Sequence, residues 1–481
     1  MGSAAVGPHD GRKAKRKRCN TCVKRKIKCH GGVPCEYCRR TNQKCEMPAK
    51  PATFKPVFVM DRPESTTAPA EMMDTQAIAR PVVSPSSQLI SRHPDHNIPY
   101  FFMVFLPMNV LVNDRVAISI DLLSLIKTTP GLRDTMFAIS IQHRKQQQEQ
   151  QGLVAKSHQS VKALQFYNNA VKCMQAQIKT NTYLDNVSSL WTTFFLGLFE
   201  LMRDSTGMNW LSHFLHGTCT ILRLQQPHSL LQPGVSTSNH RTFFLATRIF
   251  EIARSLIYSS PTFLWEPEWT AVVAELWRGE NALQWHPKEA LFDILPSFSE
   301  LSIRAHRFST TAVQPMTEKQ RVSVRSLAEE GLALQEKLQL WWAETDAWKT
   351  STHHQNDISS DRELLLGYAY YHAIKIYLSG TYDYHVPWTS PGAPPAPILS
   401  RAEIDWHVCE ILRLSQSLIA HGIAGIFLFF PLRVAGARAT EITLRREILN
   451  AFHITSERGF IVADALVQDL SGLWSERDAS R

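Results

Sequence analysis

Six cysteines near the N-terminus repeat their own spacing, and this repeat limits what the segment can fold into more than any other feature. The six are Cys19, Cys22, Cys29, Cys35, Cys38 and Cys45, and shifting the first three by 16 positions gives the last three. Each half places two cysteines three residues apart, so that two sulfur atoms can face one metal ion. A segment of 27 residues has little core of its own, so metal ligation must supply its folding free energy.

The number of cysteines predicts how many zinc ions are bound. Zinc takes four ligands in a tetrahedron, and six thiolates serve two tetrahedra only if two sulfurs are shared. Cys19 and Cys35 occupy equivalent positions in the two halves, so we expect them to bridge two zinc ions. Two alternatives remain, a disulfide knot and a single zinc ion with two spare cysteines. Disulfides need an oxidising compartment, and residues 1–18 lack the apolar run of an export signal.

The basic charge of the chain is concentrated in the same region. Residues 1–50 carry 14 Lys and Arg against 3 Asp and Glu, whereas the whole chain has a net charge of only +9. Such asymmetry suggests a polyanion as partner, and nucleic acid is the usual one. A basic run before the first cysteine suits nuclear import, with a merely solvated tail as the alternative. Its basic residues are Arg12, Lys13, Lys15, Arg16, Lys17 and Arg18.

The cysteine spacing, the basic run at 23–28 and Pro34 before Cys35 resemble the Zn₂Cys₆ binuclear-cluster DNA-binding domains of fungal transcription factors. His30 departs from that pattern, because the family usually has Asp after the third cysteine. The resemblance implies that a helix enters the major groove and that basic residues there read a CGG-type triplet. It makes Lys26 the main candidate for reading base edges and Arg25 the second. The residues implied to hold mostly phosphates are Lys24, Lys28, Arg39, Arg40 and Lys44.

Composition divides the chain into four segments. We expect a basic tail over 1–18, the cysteine domain over 19–45, a disordered linker over 46–98 and a helical regulatory domain over 99–475. The linker holds eight prolines and Ser/Thr-rich runs, a composition that cannot bury enough apolar surface to fold. Since proline interrupts helices, we predict no coiled coil before residue 98.

The large C-terminal segment predicts a mainly α fold, because apolar residues recur at helical spacing and strand-like alternation is scarce. Two apolar stretches, 101–112 and 425–430, leave short strands or buried turns open. Residues 164–170, 190–200 and 210–224 are similar to the fungal-specific transcription factor domain, which implies a helical regulatory domain. The predicted helices include 185–203 with Asp185 as N-cap, 210–225, 240–259, 289–306, 317–344, 361–379, 400–420 and 440–452.

These features together predict a nuclear transcription regulator of RNA polymerase II genes that binds double-stranded DNA through two zinc ions. No GxGxxG, P-loop, GxSxG or HExxH motif is present, so we expect no enzyme. The longest nearly charge-free apolar stretches, of about 14 residues, are too short to span a bilayer, and we expect no membrane partner. The alternatives are a general nucleic-acid binder and a small-molecule enzyme or sensor with the cluster as an accessory.

Further expectations concern partners and regulation. A homodimer through the helical domain is one option, and binding of a single triplet by a monomer is the other. The helical domain is large enough to hold a small-molecule effector or to bind a transcription co-regulator. The resemblance most often suggests a pathway-specific regulator of metabolism, including secondary metabolism. The sequence does not specify the target genes or the sign of regulation.

Overall fold

The computed structural model describes residues 35–41, 45, 96–111, 115–152, 157–183, 186–206, 216–224, 226–232, 235–278, 285–311, 316–352 and 361–479. Within these ranges every regular element is a helix and no strand occurs. The α-helices are α1 Glu36–Arg40, α2 Asn97–Tyr100, α3 Leu106–Asn109, α4 Arg115–Thr128, α5 Pro130–Gln150, α6 Ser157–Lys179, α7 Val187–Leu201, α8 His216–Leu224, α9 Val235–Tyr258, α10 Pro267–Glu275, α11 Pro287–Thr311, α12 Glu318–Thr352, α13 Arg362–Gly380, α14 Val386–Thr389, α15 Arg401–Ala420, α16 Phe429–Arg438, α17 Ile442–Glu457 and α18 Ala463–Asp478.

Shorter helical turns complete these elements. A π-helix, Phe101–Phe105, joins α2 to α3, and 3₁₀-helices cover Pro227–Leu230, Phe263–Trp265 and Ile426–Leu428. The mainly α fold predicted from the sequence is therefore confirmed. None of the described helices combines the length and the apolar composition needed to cross a membrane.

Helix α13 is buried on nearly all sides and packs against α11, α15 and α16. Its sequence is apolar around the whole helix rather than along one stripe, which is typical of a helix in the interior of a large domain. The side chains of Tyr370 and Tyr377 are both at most 1% exposed. The flanking helices therefore surround α13 and form layers of the same core.

One apolar core connects the beginning and the end of the helical domain. It runs from Phe101 through α7 and α9 to Trp474. The ring of Phe101 meets Phe195 edge-on at 5.1 Å between centroids, and Trp191 meets Phe243 in the same way at 4.8 Å. Because these aromatic rings interlock, helices far apart in sequence are held in one packed unit.

Two predicted helices begin at residues that act as N-caps in the structure. The predicted helix 361–379 is α13, and the Asp361 carboxylate accepts the backbone N–H groups of Glu363 and Leu364. The predicted helix 400–420 is α15, where Ser400 and Glu403 form a capping box. At α7 the cap is Asn186, whose side chain accepts the N–H of Ser188 at 3.0 Å, rather than the predicted Asp185, which lies outside the described residues.

The short strands left open for the two apolar stretches do not form. Residues 101–109 are helical throughout, and residues 426–430 form a 3₁₀-helix that leads into α16. Gly425 begins this second turn with a positive φ of 102°, a conformation that glycine adopts without strain. The second stretch is buried, and in the first even the exposed Met103 and Val104 are apolar, so neither helix has a polar face to reveal its period.

Candidate functional site

Helix α1, its N-cap residue and a residue shortly after the helix bring three cysteines together. Cys35 is the N-cap of α1, and its carbonyl oxygen accepts the N–H of Arg39 at 2.9 Å. Cys38 lies three residues later, about one helical turn on, and therefore on the same side. Cys45 returns to this side, where its Sγ accepts the backbone N–H of Cys35 at 3.2 Å. The cysteine spacing in the second half of the repeat thus brings the three sulfur atoms to the same side of α1.

The three sulfur atoms lie within 4.8 Å of one another. Four thiolates around one zinc ion at 2.3 Å stand about 3.8 Å apart, so this spacing suits three corners of a tetrahedron. Cys35 is completely buried and Cys38 is 1% exposed, which keeps water from competing for the metal. The trio could therefore hold a metal ion, and its all-sulfur donor set is typical of structural zinc.

The basic residues of α1 are exposed to solvent, whereas two of the cysteines are buried. Arg39 and Arg40 lie in the last turn of the helix, and both are exposed while Cys35 and Cys38 are buried. This short helix thus combines buried metal-binding groups with two guanidinium groups that face solvent. Guanidinium groups on such an exposed surface can reach phosphate oxygens.

Most of the predicted site residues lie outside the described residues. For the metal these are Cys19, Cys22 and Cys29, and for DNA they are Lys24, Arg25, Lys26, Lys28 and Lys44. The import residues Arg12, Lys13, Lys15, Arg16, Lys17 and Arg18 and the linker 46–95 lie outside as well. The structure therefore describes the positions of Cys35, Cys38, Cys45, Arg39 and Arg40, and the functional roles of all the predicted site residues stay predictions.

A second polar feature, in the interior of the helical domain, was not found by sequence reasoning. We call it the buried ion network, and its members are Arg248 on α9, Lys288, Glu289 and Asp293 on α11, and Glu363 on α13. Arg248 donates to Glu289 at 2.6 Å and to Asp293 at 2.5 Å. Lys288 donates to Glu289 at 2.7 Å and to Glu363 at 2.5 Å. Two positive and three negative groups leave the network with a formal charge of −1.

The network holds Lys288 and Glu289 in their charged forms despite their burial. Burial alone would raise the pKa of Glu289, but the adjacent charges of Lys288 and Arg248 outweigh it and lower that pKa to about 2. Burial would lower the pKa of Lys288, yet its two carboxylate partners raise it. Asp293 differs, because burial raises its pKa more than Arg248 lowers it. Charged residues at a helix start look like a solvated surface in the sequence, so no pattern could have revealed this network.

Comparison with known proteins assigns the helical part of the chain. Residues 98–480 match a family described as the fungal specific transcription factor domain. The match contains the buried ion network and every helix from α3 onward, and it begins after the cysteine segment. Neither curated proteins nor solved structures include a significant match to the chain.

Proposed function

Since the chain belongs to the fungal specific transcription factor domain family, we propose that it is a DNA-binding transcription regulator whose N-terminal cysteines form a binuclear zinc cluster. The observation that carries the proposal is the placement of Cys35, Cys38 and Cys45 within 4.8 Å of one another. Exposed Arg39 and Arg40 on the same short helix supply a basic surface beside it. A regulatory domain, a metal site and a basic surface in one chain fit a transcription factor.

The proposed cluster uses all six N-terminal cysteines for two zinc ions, with Cys19 and Cys35 bridging. Its other ligands are Cys22, Cys29, Cys38 and Cys45. The closeness of the Cys35, Cys38 and Cys45 sulfurs supports one zinc ion shared by these three, and the sequence repeat pairs Cys35 with Cys19 as the bridging residues. Bound zinc supplies the folding free energy that a segment of this size cannot obtain from apolar burial. Since thiolates fill every ligand position, no coordination site is open for catalysis, and we propose no enzymatic activity.

Direct reading of DNA is assigned to the basic run between the second and third cysteines. Lys26, with Arg25 second, pairs with the O6 and N7 atoms of guanine in a CGG-type triplet. Arg39 and Arg40 hold phosphates together with Lys24, Lys28 and Lys44, which gives affinity and salt dependence without sequence information. The basic residues of 12–18 direct the protein to the nucleus, where it regulates RNA polymerase II genes, including genes of metabolic pathways.

The helical domain is proposed as the regulatory and dimerising part. Its match to the family covers residues 98–480, and a homodimer through this domain would present two clusters to two triplets. Its partners in this proposal are duplex DNA, a second copy of the chain and a transcription co-regulator.

In vitro selection of random duplex DNA by the zinc-loaded full chain tests the proposal. We expect enrichment of a CGG-type triplet and its loss when a chelator removes zinc. Cys45→Ser should abolish enrichment, because it removes a ligand beside Cys35 and Cys38. Cys409→Ser is the matched control, since Cys409 is exposed on α15 and should leave enrichment intact. Native mass spectrometry should show two zinc ions per chain.

Two further variants separate specific from general binding. Lys26→Ala should relax specificity within the triplet, whereas Arg39→Ala should weaken binding to all sequences and reduce the salt slope by about 1. If unrelated DNA or RNA competes as well as the selected site, the protein is a general nucleic-acid binder. Equal enrichment with and without zinc would contradict the cluster as the reader.

A further inference from the structure

A cavity of about 210 Å³ opens between α9, α10, α11 and the 3₁₀-helix Phe263–Trp265. We call it the α10–α11 cavity. Its walls are mostly apolar, and they include Val273, Phe292 and Pro296, all of which are buried. Ala274 and Thr270 are exposed and lie at its mouth, and Arg248 lines its interior. The cavity is therefore an apolar recess that reaches the buried ion network.

Arg248 brings an unused hydrogen-bond donor to this recess. The side chain is 2% exposed, and its two terminal nitrogens donate to Asp293 and Glu289. Its Nε–H finds no acceptor among the described residues. A buried N–H without a partner costs free energy, so an acceptor that enters the cavity gains more here than on an open surface.

The wall formed by α11 offers a matching acceptor. Pro296 lies inside α11 and has no N–H, so the carbonyl oxygen of Phe292, one turn earlier, lacks its usual helical donor. Both residues line the cavity. The Asp293 carboxylate, 22% exposed, lies beside them as a second acceptor; its two oxygens already accept from Arg248 and from Trp277 Nε1, and each keeps a further lone pair. The recess thus combines one donor with two acceptors in an apolar surrounding.

Charge and volume restrict the ligand further. The network as a whole carries a formal charge of −1, which disfavours an anion, and the Arg248 guanidinium in the lining disfavours a cation. A cavity of about 150 Å³ holds benzene, whereas drug-sized ligands take about 300–1,000 Å³. A volume of about 210 Å³ therefore suits a single ring with one small substituent.

We propose that the α10–α11 cavity binds a small, uncharged, largely apolar molecule that carries a hydroxyl group. The hydroxyl oxygen accepts the Nε–H of Arg248, and its O–H donates to the carbonyl oxygen of Phe292 or to Asp293. This binding does not depend on the cysteine cluster. That such a ligand acts as an effector of transcription rests on the proposed function, since occupancy would stabilise the packing of α9, α10 and α11.

Four probes of nearly equal size test the ligand class on the full chain by ligand-observed NMR. They are benzyl alcohol, toluene, benzoate and benzylammonium. We expect benzyl alcohol to bind with a Kd of about 1 mM, a normal affinity for eight non-hydrogen atoms. Toluene lacks the hydroxyl and should bind about tenfold more weakly, and both ions should bind at least tenfold more weakly. Tighter binding of either ion, or equal binding of toluene, would overturn the assigned class.

A pair of variants on α10 tests the location. Ala274→Phe fills the mouth of the cavity and should abolish binding of benzyl alcohol. Ala271→Phe places the same side chain on the same helix at an exposed position that does not line the cavity. This variant should bind benzyl alcohol with the affinity of the wild type. If Ala274→Phe lowers the melting temperature, Thr270→Phe at the mouth replaces it.

The readout keeps this proposal separate from the DNA-binding one. No DNA is present, so loss of DNA recognition cannot mimic loss of the ligand. At a concentration of ten times its Kd, benzyl alcohol should raise the melting temperature of the wild type by about 2 °C. The melting temperature of Ala274→Phe should not change. Absence of binding to the wild type, or unchanged binding to a folded variant with a filled mouth, would overturn the proposal.

Discussion

Arg248 on α9 and Glu289 on α11 form an ion pair in the interior of the helical domain, with 2.6 Å between Nη2 and Oε2 and at most 4% exposure of either side chain. The same guanidinium also donates to the backbone carbonyl of Glu289 at 3.0 Å. Through Lys288 the pair extends to Glu363 at the start of α13. Three helices are therefore joined by charges that have little water to replace a missing partner.

Lys288→Met should lower the free energy of unfolding by about 3–5 kcal/mol, because it leaves the carboxylates of Glu289 and Glu363 buried near each other without their shared cation. Urea denaturation of the full chain, followed by circular dichroism, measures the change. Lys172→Met on the exposed surface of α6 is the control and should change the free energy by less than about 0.5 kcal/mol. Equal stability of the two variants would show that Lys288 contributes nothing to stability.

His143 has a protonation state that its partners determine. Its Nε2 lies 3.1 Å from the carbonyl oxygen of Arg458, and because a carbonyl only accepts, Nε2 carries the proton. Its Nδ1 lies 2.7 Å from the hydroxyl of Tyr100 and accepts from it. Burial lowers the pKa of His143 to about 4, and the bond to Arg458 only partly opposes this. The folded protein therefore holds this imidazole neutral.

The lowered pKa of His143 predicts loss of stability in mild acid. An unfolded histidine has a pKa near 6.5. Between about pH 6.5 and 4 the unfolded chain therefore binds more protons than the folded chain, and the free energy of unfolding decreases as the pH is lowered. From pH 7.5 to pH 5 this histidine should account for a loss of about 2 kcal/mol. Urea denaturation at the two pH values measures it.

Two variants assign this pH dependence to His143. His143→Gln should remove about 2 kcal/mol of the loss, whatever it does to the absolute stability. His453→Gln, on the exposed side of α17, should leave the full loss in place. Burial also lowers the pKa values of His372, His385 and His407. Because these histidines contribute to the pH dependence of the wild type, the test compares the loss of stability in the two variants with that in the wild type. An unchanged pH dependence in His143→Gln would contradict the assignment.

The helices could be predicted where their ends carry local signals. Asp361 and Ser400 stand one residue before α13 and α15, and each supplies an oxygen to the first turn, so the cap and the helix are encoded within four residues. The cysteine repeat is equally local. Three cysteines at fixed spacing meet because α1 is one turn long and Cys45 follows closely.

The rest depends on contacts that the sequence does not show. The helical turns at Phe101–Phe105 and Ile426–Leu428 have no polar face, since even the exposed Met103 and Val104 are apolar, and so their period is hidden. The partners of Lys288 include Glu363, 75 residues away. That the Nε–H of Arg248 has no acceptor within the described part of the chain follows only from the packing of α9, α10 and α11 around it. Pairings over such distances follow from tertiary packing and from no local preference.

Gly331 on α12 illustrates a residue required by such packing. A Cβ there would lie only 2.2 Å from the hydroxyl oxygen of Tyr382, a fully buried side chain that donates to the carbonyl of Leu327 at 2.8 Å. In an open helix Gly→Ala stabilises by about 1 kcal/mol. Here Gly331→Ala should instead lower the free energy of unfolding by about 1–3 kcal/mol, as measured by urea denaturation.

A double variant checks the cause. Tyr382→Phe removes the hydroxyl oxygen that lies nearest to the added methyl group, so Gly331→Ala should cost less in that background. We expect a coupling free energy of at least about 0.5 kcal/mol between the two substitutions. Strictly additive effects would place the strain on the ring carbons Cζ and Cε2 of Tyr382, which would lie 2.7 and 2.9 Å from the added Cβ, and not on the hydroxyl.

Removal of zinc should affect the cysteine segment and leave the stability of the helical domain unchanged. The apolar core runs from Phe101 to Trp474 and includes none of Cys35, Cys38 and Cys45. A chelator should therefore abolish DNA binding while it changes the melting temperature of the helical domain by less than about 1 °C. Circular dichroism melting and a DNA-binding assay on the same sample measure both effects.

Cys45→Ser should behave like the chelated protein and Cys409→Ser like the untreated one. A fall of about 5 °C or more in both the chelated protein and Cys45→Ser would mean that the metal site stabilises the helical core, because a domain of this size loses several kcal/mol for such a shift.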